Sequence, residues 1–155
     1  MKIRFAPRGI VEIDDARIIF RNFSGEPSKY NRKGDRNFAV IIPNQEIADE
    51  LMKEGWNVRI KPPRDIDDSP FIYLPVKVKF NDRGPAVSLR SGSALNRLDE
   101  ESISCLDHVA ISSVDLDIRP YDWEMNGDTG RTAYLQSIRV TQDIRDRFAE
   151  EEYPE

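Results

Sequence analysis

The stretch Phe71–Phe80 limits this chain most. Ile72, Leu74, Val76, Val78 and Phe80 alternate with Phe71, Tyr73, Pro75, Lys77 and Lys79. A period of two over ten residues predicts a strand with one buried face. The other face carries two aromatics and two cations, and Pro75 points to an edge position or a bulge. The same period recurs at Ile10–Ile13 and Ala16–Phe23. In the latter, Ala16, Ile18 and Phe20 are expected to face the core, with Arg17, Ile19, Arg21 and Phe23 outside. Phe38–Pro43 is a continuous apolar run and reads as a buried strand. Trp56–Lys61 is expected to turn Trp56, Val58 and Ile60 inward. Val87 and Leu89 mark a short strand. Val109–Trp123 and Thr132–Thr141 read as two long strands, joined by a hairpin loop holding Asn126-Gly127 and Gly130.

Helical signals are few. Asn44 is a good N-cap, Ile47 and Leu51, and Ala48 and Met52, lie at i, i+4, and Gly55 fits the stop. Asp99 is placed to cap a short helix that buries Ile103 and Leu106. About seven strands at roughly ten-residue spacing favour a small barrel or sandwich over an α/β fold. The expected fold is mainly β: an OB-fold-like small barrel with added strands, a long C-terminal hairpin and one or two short helices. A different β-sandwich is the alternative. A chain of 155 residues suits one domain, placed at 1–142, with a tail at 143–155.

Several functional classes fall away on composition. No window approaches about 18 consecutive apolar residues, so no membrane span is expected. The opening Met1-Lys2-Ile3-Arg4-Phe5 lacks a signal-peptide core, and a cytoplasmic protein is expected. A single cysteine, Cys105, excludes an internal disulfide and a multi-cysteine zinc site. A single histidine, His108, excludes an all-histidine zinc site; it lies three residues from Cys105 with no third partner in view. The net charge of −5 is uneven. Residues 1–64 hold 13 Lys and Arg against 9 Asp and Glu, whereas 65–155 hold 10 against 19. Local patches, not the total, set a binding field.

Residues 17–36 hold six basic residues, Arg17, Arg21, Lys29, Arg32, Lys33 and Arg36, against two acids. Phe20, Phe23 and Tyr30 are interleaved with them. Cations that track phosphates, mixed with aromatic faces that stack on bases, are what single-strand binding needs. The outer face of the Phe71–Phe80 strand repeats the mixture with Phe71, Tyr73, Lys77 and Lys79. A third group is Arg119-Pro120-Tyr121-Asp122-Trp123, near the hairpin tip, where Tyr121 and Trp123 could clamp a base. Each group has a plainer reading: a solvated loop beside core phenylalanines, a lysine-guarded edge, and aromatics folded back on the hairpin.

Asp115 and Asp117 share a strand face, and a Mg²⁺-dependent nuclease could use such a pair. No lysine, however, is preceded two positions earlier by an acid, so the Asp/Glu-x-Lys pattern of many nucleases is missing. There is no Walker-type glycine loop and no Gly-x-Ser-x-Gly. No catalytic residue, metal or cofactor is expected.

The strings Arg21-Asn22-Phe23-Ser24-Gly25, Tyr30-Asn31-Arg32-Lys33-Gly34-Asp35-Arg36-Asn37-Phe38, Gly55-Trp56-Asn57-Val58, Tyr73 to Phe80 and Ile118-Arg119-Pro120-Tyr121-Asp122-Trp123 resemble a family of small phage and prophage single-stranded-DNA-binding proteins. Ala133-Tyr134-Leu135-Gln136 and Val140-Thr141-Gln142 are similar to the same family. The resemblance spans about residues 1–142 and implies an OB-fold, sequence-tolerant binding of single-stranded DNA, no enzymatic activity, and a host-cytoplasmic setting. The expected work is strand protection in phage DNA replication or recombination. Residues 143–155 hold six acids against two basic residues. They read as a disordered acidic tail, with Ile144 and Phe148 at i, i+4 leaving a short packed helix as the alternative. The tail resembles those through which strand-binding proteins recruit replication or recombination proteins, although the terminal aromatic is displaced to Tyr153. A homo-oligomer is left open. The rival classes are a protein-interaction module, such as a virion component or host-defence inhibitor, an RNA binder, and the nuclease.

Overall fold

The computed structural model describes residues 1–65 and 68–144. The tail expected at 143–155 therefore lies, from residue 145 onward, outside the described residues. Nine strands and one α-helix are present among those described: β1 (Lys2–Phe5), β2 (Val11–Asn22), β3 (Arg36–Ile41), α1 (Gln45–Lys53), β4 (Arg59–Lys61), β5 (Phe71–Val78), β6 (Ala86–Ser91), β7 (Ala94–Leu98), β8 (Ile111–Met125) and β9 (Asp128–Gln142). A 3₁₀ turn at Ile103–Asp107 stands where a short helix was expected and buries Ile103 and Leu106. No helix of the described residues is long and apolar enough to cross a membrane.

Five strands form a ring in the order β2–β3–β5–β9–β8 and back to β2. Every pairing in it is antiparallel except β5–β9, a short parallel contact at Val76↔Ala133 and Lys77↔Tyr134. This is the OB-type arrangement, with the third and fifth ring strands in chain order, β5 and β9, parallel. One edge of β5 is shared: β4 pairs with its first half and β9 with its second. The β6–β7 hairpin extends β9, and β1 adds to β2. The core fills the ring with alternating residues such as Val40, Leu74, Val76, Leu116, Ile118 and Leu135.

The helix forms where its cap permits. The Asn44 side chain accepts from the Ile47 amide at 2.9 Å, one of the donors a helix start leaves free. Ala48 and Leu51 face the core. Trp56 follows, buried, with its amide on the Leu51 carbonyl at 3.1 Å.

Two bulges in β2 reset its alternation. The register shifts between Ile13 and Ala16, and again between Ile19 and Asn22. Asp15 and Phe20 take positive φ values of 52° and 56° there. Inward residues thus run Val11, Ile13, then Ala16, Ile18, then Phe23. Unbroken alternation predicted Phe20 inside and Phe23 outside, and the second bulge reverses both. A period-two pattern carries no mark of an inserted residue. β4 is shorter than expected and leaves Ile60 exposed. The two runs before residue 23 join into one strand, and the long hairpin closes on Asn126-Gly127 alone, with Gly130 inside β9.

Candidate nucleic-acid interface

Residues paired across neighbouring strands share a face, and the ladder places the outward side chains in rows. One row runs Arg17, Ile41, Tyr73, Arg59 across β2, β3, β5 and β4. The next holds Ile19, Ala39 and Pro75. A third runs Asn22, Asn37, Lys77, Tyr134, Arg119 across β2, β3, β5, β9 and β8. Phe71 lies beside Tyr73 and pairs with Lys61. Rings sit in the middle of this surface, with cations around them.

The bulge at Phe20 contributes the ring that alternation had assigned to the core. Phe20 is 53% exposed and stands edge-on to Tyr73 at 5.6 Å and to Phe71 at 6.2 Å. Phe71 and Tyr73 are 5.5 Å apart. A non-glycine residue at positive φ is uncommon, and such strain gathers at functional surfaces. Here it lays a third ring against two strand-borne ones.

Below the trio runs a groove of about 770 Å³. Phe20, Tyr73, Tyr30, Phe80 and Tyr134 line it, with Arg36, Lys77 and Lys79 among them. Arg36 lies over the Phe80 ring, its guanidinium carbon 5.8 Å from the centroid.

Tyr30, 89% exposed, stands on the loop between β2 and β3. That loop is held from within. The Asn31 amide donates to the carbonyls of Glu26, Arg32 and Asp35, while its Oδ1 accepts from Asn37 Nδ2 at 2.8 Å. At the neck, Gly25 (φ 73°) and Gly34 touch, and a Cβ on Gly25 would sit 2.9 Å from the Gly34 backbone. The Asp107 carboxylate accepts from the amides of Phe23 at 2.7 Å and Ser24 at 3.0 Å. The Lys29 Nζ lies 5.7 Å from the Tyr30 ring.

The β8–β9 hairpin carries the surface onward. Arg119 lies over Tyr134 at 5.1 Å, and Tyr121 meets Tyr134 edge-on at 5.8 Å. Trp123 covers Gly130, where a Cβ would sit 2.5 Å from the indole, and the residue as a whole is 40% exposed. The hairpin's other side is tied down. Asp122 accepts from Arg131 Nε at 2.7 Å and Nη2 at 3.2 Å, and Arg131 lies over Trp56 at 5.5 Å. The pairing holds the Asp122 carboxyl below its usual range and raises Arg131.

The groove thus brings together five of the residues the sequence singles out: Tyr30, Arg36, Tyr73, Lys77 and Lys79. Phe71 joins through ring contacts, and Tyr121 through Tyr134. Arg17 ends the Tyr73 row. Lys29, Arg32 and Lys33 are exposed on the loop. Two expectations are corrected. Phe23 is fully buried, stacked on Phe38 at 5.1 Å, and presents no face to a ligand. Arg21 is half-buried and donates to the carbonyls of Leu106 at 2.9 Å and Val109 at 2.8 Å, so its guanidinium serves the end of the barrel. Phe80, Tyr134, Arg59 and Lys61 lie outside the groups the sequence singles out, while Phe20, expected in the core, and Arg119, at the start of the hairpin group, join this surface. For Arg59 and Lys61 the i, i+2 spacing was a signal; for Tyr134 only the ring closure reveals it.

The paired carboxylates have structural partners. Asp115 accepts from the Asp15 amide at 2.9 Å, at the first bulge, and Asp117 accepts from the Ser137 hydroxyl at 3.1 Å. Among the described residues no three His, Cys, Asp or Glu side chains gather as a metal-holding group.

Residues 2–155 match the model of a family described as "Putative phage ssDNA-binding domain". The chain belongs to this family. No curated protein matches the sequence. Among solved structures, the chain is similar to a C-terminal truncation of the single-stranded DNA-binding protein from bacteriophage Enc34. The TM-score is 0.57 at 13% identity, covering 91% of this chain and 90% of that one. The same Enc34 protein in complex with ssDNA gives 0.55 at 13% identity, covering 94% and 93%. At that identity the likeness speaks to the fold, and it agrees with the OB-type ring.

Proposed function

We propose that this phage-family protein binds single-stranded DNA without sequence preference, in the groove crossed by Tyr73, Lys77 and Tyr134 and onward over the β8–β9 hairpin. The observation that carries the reading is the row order: aromatic side chains share one outward face with Arg17, Arg59, Lys77 and Arg119, and Arg36 and Lys79 line the groove beside them. Stacking accepts any base, and the cations follow the backbone. A duplex buries its base faces, so the rings select for single strands. Tyr121 and Trp123 extend the path as stacking platforms, with Lys29, Arg32 and Lys33 adding charge from the loop. The binding needs no catalysis, metal or cofactor, and it would protect exposed strands during phage replication or recombination in the host cytoplasm. The acidic residues of 143–155 would serve as a docking segment for replication or recombination proteins.

A mobility shift with single-stranded DNA, duplex DNA and RNA of one sequence tests the reading. Single-stranded DNA should shift at the lowest protein concentration. With Mg²⁺ added, the oligonucleotide should stay intact. A shift with none of the three would favour a protein-interaction module, and cleavage lost in Asp115→Asn would revive the nuclease.

A further inference from the structure

The groove contains an acid that binding of an anionic strand does not call for. Glu100 lines it together with Lys77 and Lys79, and its carboxylate meets Arg36: Nη1 to Oε1 is 3.4 Å. The two partners are held very differently. Arg36 is fixed, with 21% of its side chain exposed; Nη2 donates to the Glu100 carbonyl at 3.3 Å, and Phe80 lies beneath the guanidinium. The Glu100 side chain is 62% exposed and has solvent to swing into. The contact is also poor. Good charged N–H to oxygen bonds run about 2.7–2.9 Å, and among the described residues the buried Nε of Arg36 has no hydrogen-bond partner. The guanidinium is therefore seated but under-used as a donor.

We infer that Arg36 on Phe80 is a phosphodiester subsite and that the Glu100 carboxylate occupies it in the free protein, as a built-in competitor that a strand phosphate displaces. This rests on the reading of the groove as the strand site. A phosphate carries two oxygens that match a guanidinium fork, which a single long carboxylate contact does not. Displacement leaves Arg36 in place, since its carbonyl and ring contacts belong to the backbone of Glu100 and to Phe80, not to the carboxylate. Glu100 then raises the threshold for binding: a small anion gains only the exchange of one partner for another, whereas a strand gains the exchange and the stacking. An exposed pair of this kind shifts binding by no more than about fivefold, and salt weakens it.

The test is fluorescence anisotropy of a labelled oligothymidylate with the full chain, across a salt series. Glu100→Gln keeps the backbone carbonyl and removes the charge. It should bind about two- to fivefold tighter at about 50 mM salt, with the gain shrinking as salt rises. Glu101→Gln removes a charge one residue away and should gain clearly less. In an Arg36→Gln background, Glu100→Gln should gain no more than that control. Unchanged or weaker binding by Glu100→Gln overturns the inference, as does an equal gain from Glu101→Gln, or a gain that persists without Arg36. Wild-type protein that binds no oligonucleotide would overturn the groove reading itself.

Discussion

The ring of Phe20 stands edge-on to the ring of Tyr73, centroids 5.6 Å apart and planes at 78°. One residue comes from a bulge at positive φ, the other from a regular strand, and β3 separates them in the sheet. Such edge-to-face contacts order both rings while leaving stacking surface for a third partner.

Phe20→Ala and Tyr73→Ala are each expected to weaken oligonucleotide binding by about 1–3 kcal/mol, the usual worth of a base stack. Anisotropy titrations alongside thermal melts separate this from unfolding. Phe20 carries a further sign. Glycine in a strand ordinarily costs about 0.5–1 kcal/mol relative to alanine, but at φ 56° it relieves strain. Phe20→Gly should therefore melt no lower than Phe20→Ala. A clearly lower melting temperature would show that the left-handed backbone at Phe20 is not present in solution.

Phe23 and Phe38 form the opposite case. Both are buried and stacked at 5.1 Å. Phe23→Ala should cost about 3–5 kcal/mol of stability by cavity formation. Affinity per folded molecule should hold, provided the measurement is made well below the melting point. Lost affinity in a fully folded variant would return Phe23 to the interface.

Asp107 accepts from two backbone amides at the base of the Tyr30 loop. Replacing it with alanine leaves both donors without that partner, at about 1–3 kcal/mol for each buried group left unsatisfied. Chemical denaturation should show the loss, and amide exchange at Phe23 and Ser24 should quicken. Unchanged exchange would mean that other contacts hold the loop.

The Asp122–Arg131 pair gives a pH dependence with a definite sign. The folded carboxyl lies below its usual range because Arg131 donates to it. Its contribution is therefore present above the ordinary carboxylate range and is lost as pH falls through the depressed value. The pair is largely exposed on the Asp122 side, so the effect is small. Wild type and Asp122→Asn should differ in urea midpoint at pH 7 and converge as pH falls through the depressed value. A constant difference across that range would contradict the assignment.

The ring strands were legible wherever one face is buried and the period stays unbroken. Phe71–Val78 came out with both faces correct, because its inward Ile72, Leu74 and Val76 and outward Tyr73 and Lys77 never slip register. The exchange of Phe20 for Phe23 was not legible. Both are phenylalanines beside arginines, and a one-residue insertion in the register leaves the composition unchanged. Tyr134 was hidden for a different reason. It meets Lys77 only through the parallel β5–β9 pairing, a contact between residues 57 positions apart. Arg21 reads as surface charge in any pattern, and only the carbonyls of Leu106 and Val109 give it an inward task. The family strings, by contrast, lie in the sequence itself, and residues 2–155 match as a unit.

Salt dependence probes the cationic part of the interface. For a single strand the logarithm of affinity should fall by about 0.7 per neutralised phosphate for each decade of salt. Lys77→Ala and Lys79→Ala should each make that slope shallower by about 0.7, if each meets one phosphate. A slope unmoved by both variants would place the phosphates elsewhere.

The most direct measurement is binding of one oligothymidylate, and of a duplex of equal length, by wild type and by the Phe20→Ala/Tyr73→Ala double variant at one salt concentration. The account predicts that wild type prefers the single strand. The double variant should stay folded and lose most of that preference, with duplex binding little changed. A folded double variant that binds the single strand as tightly as wild type would contradict the groove as the site of recognition.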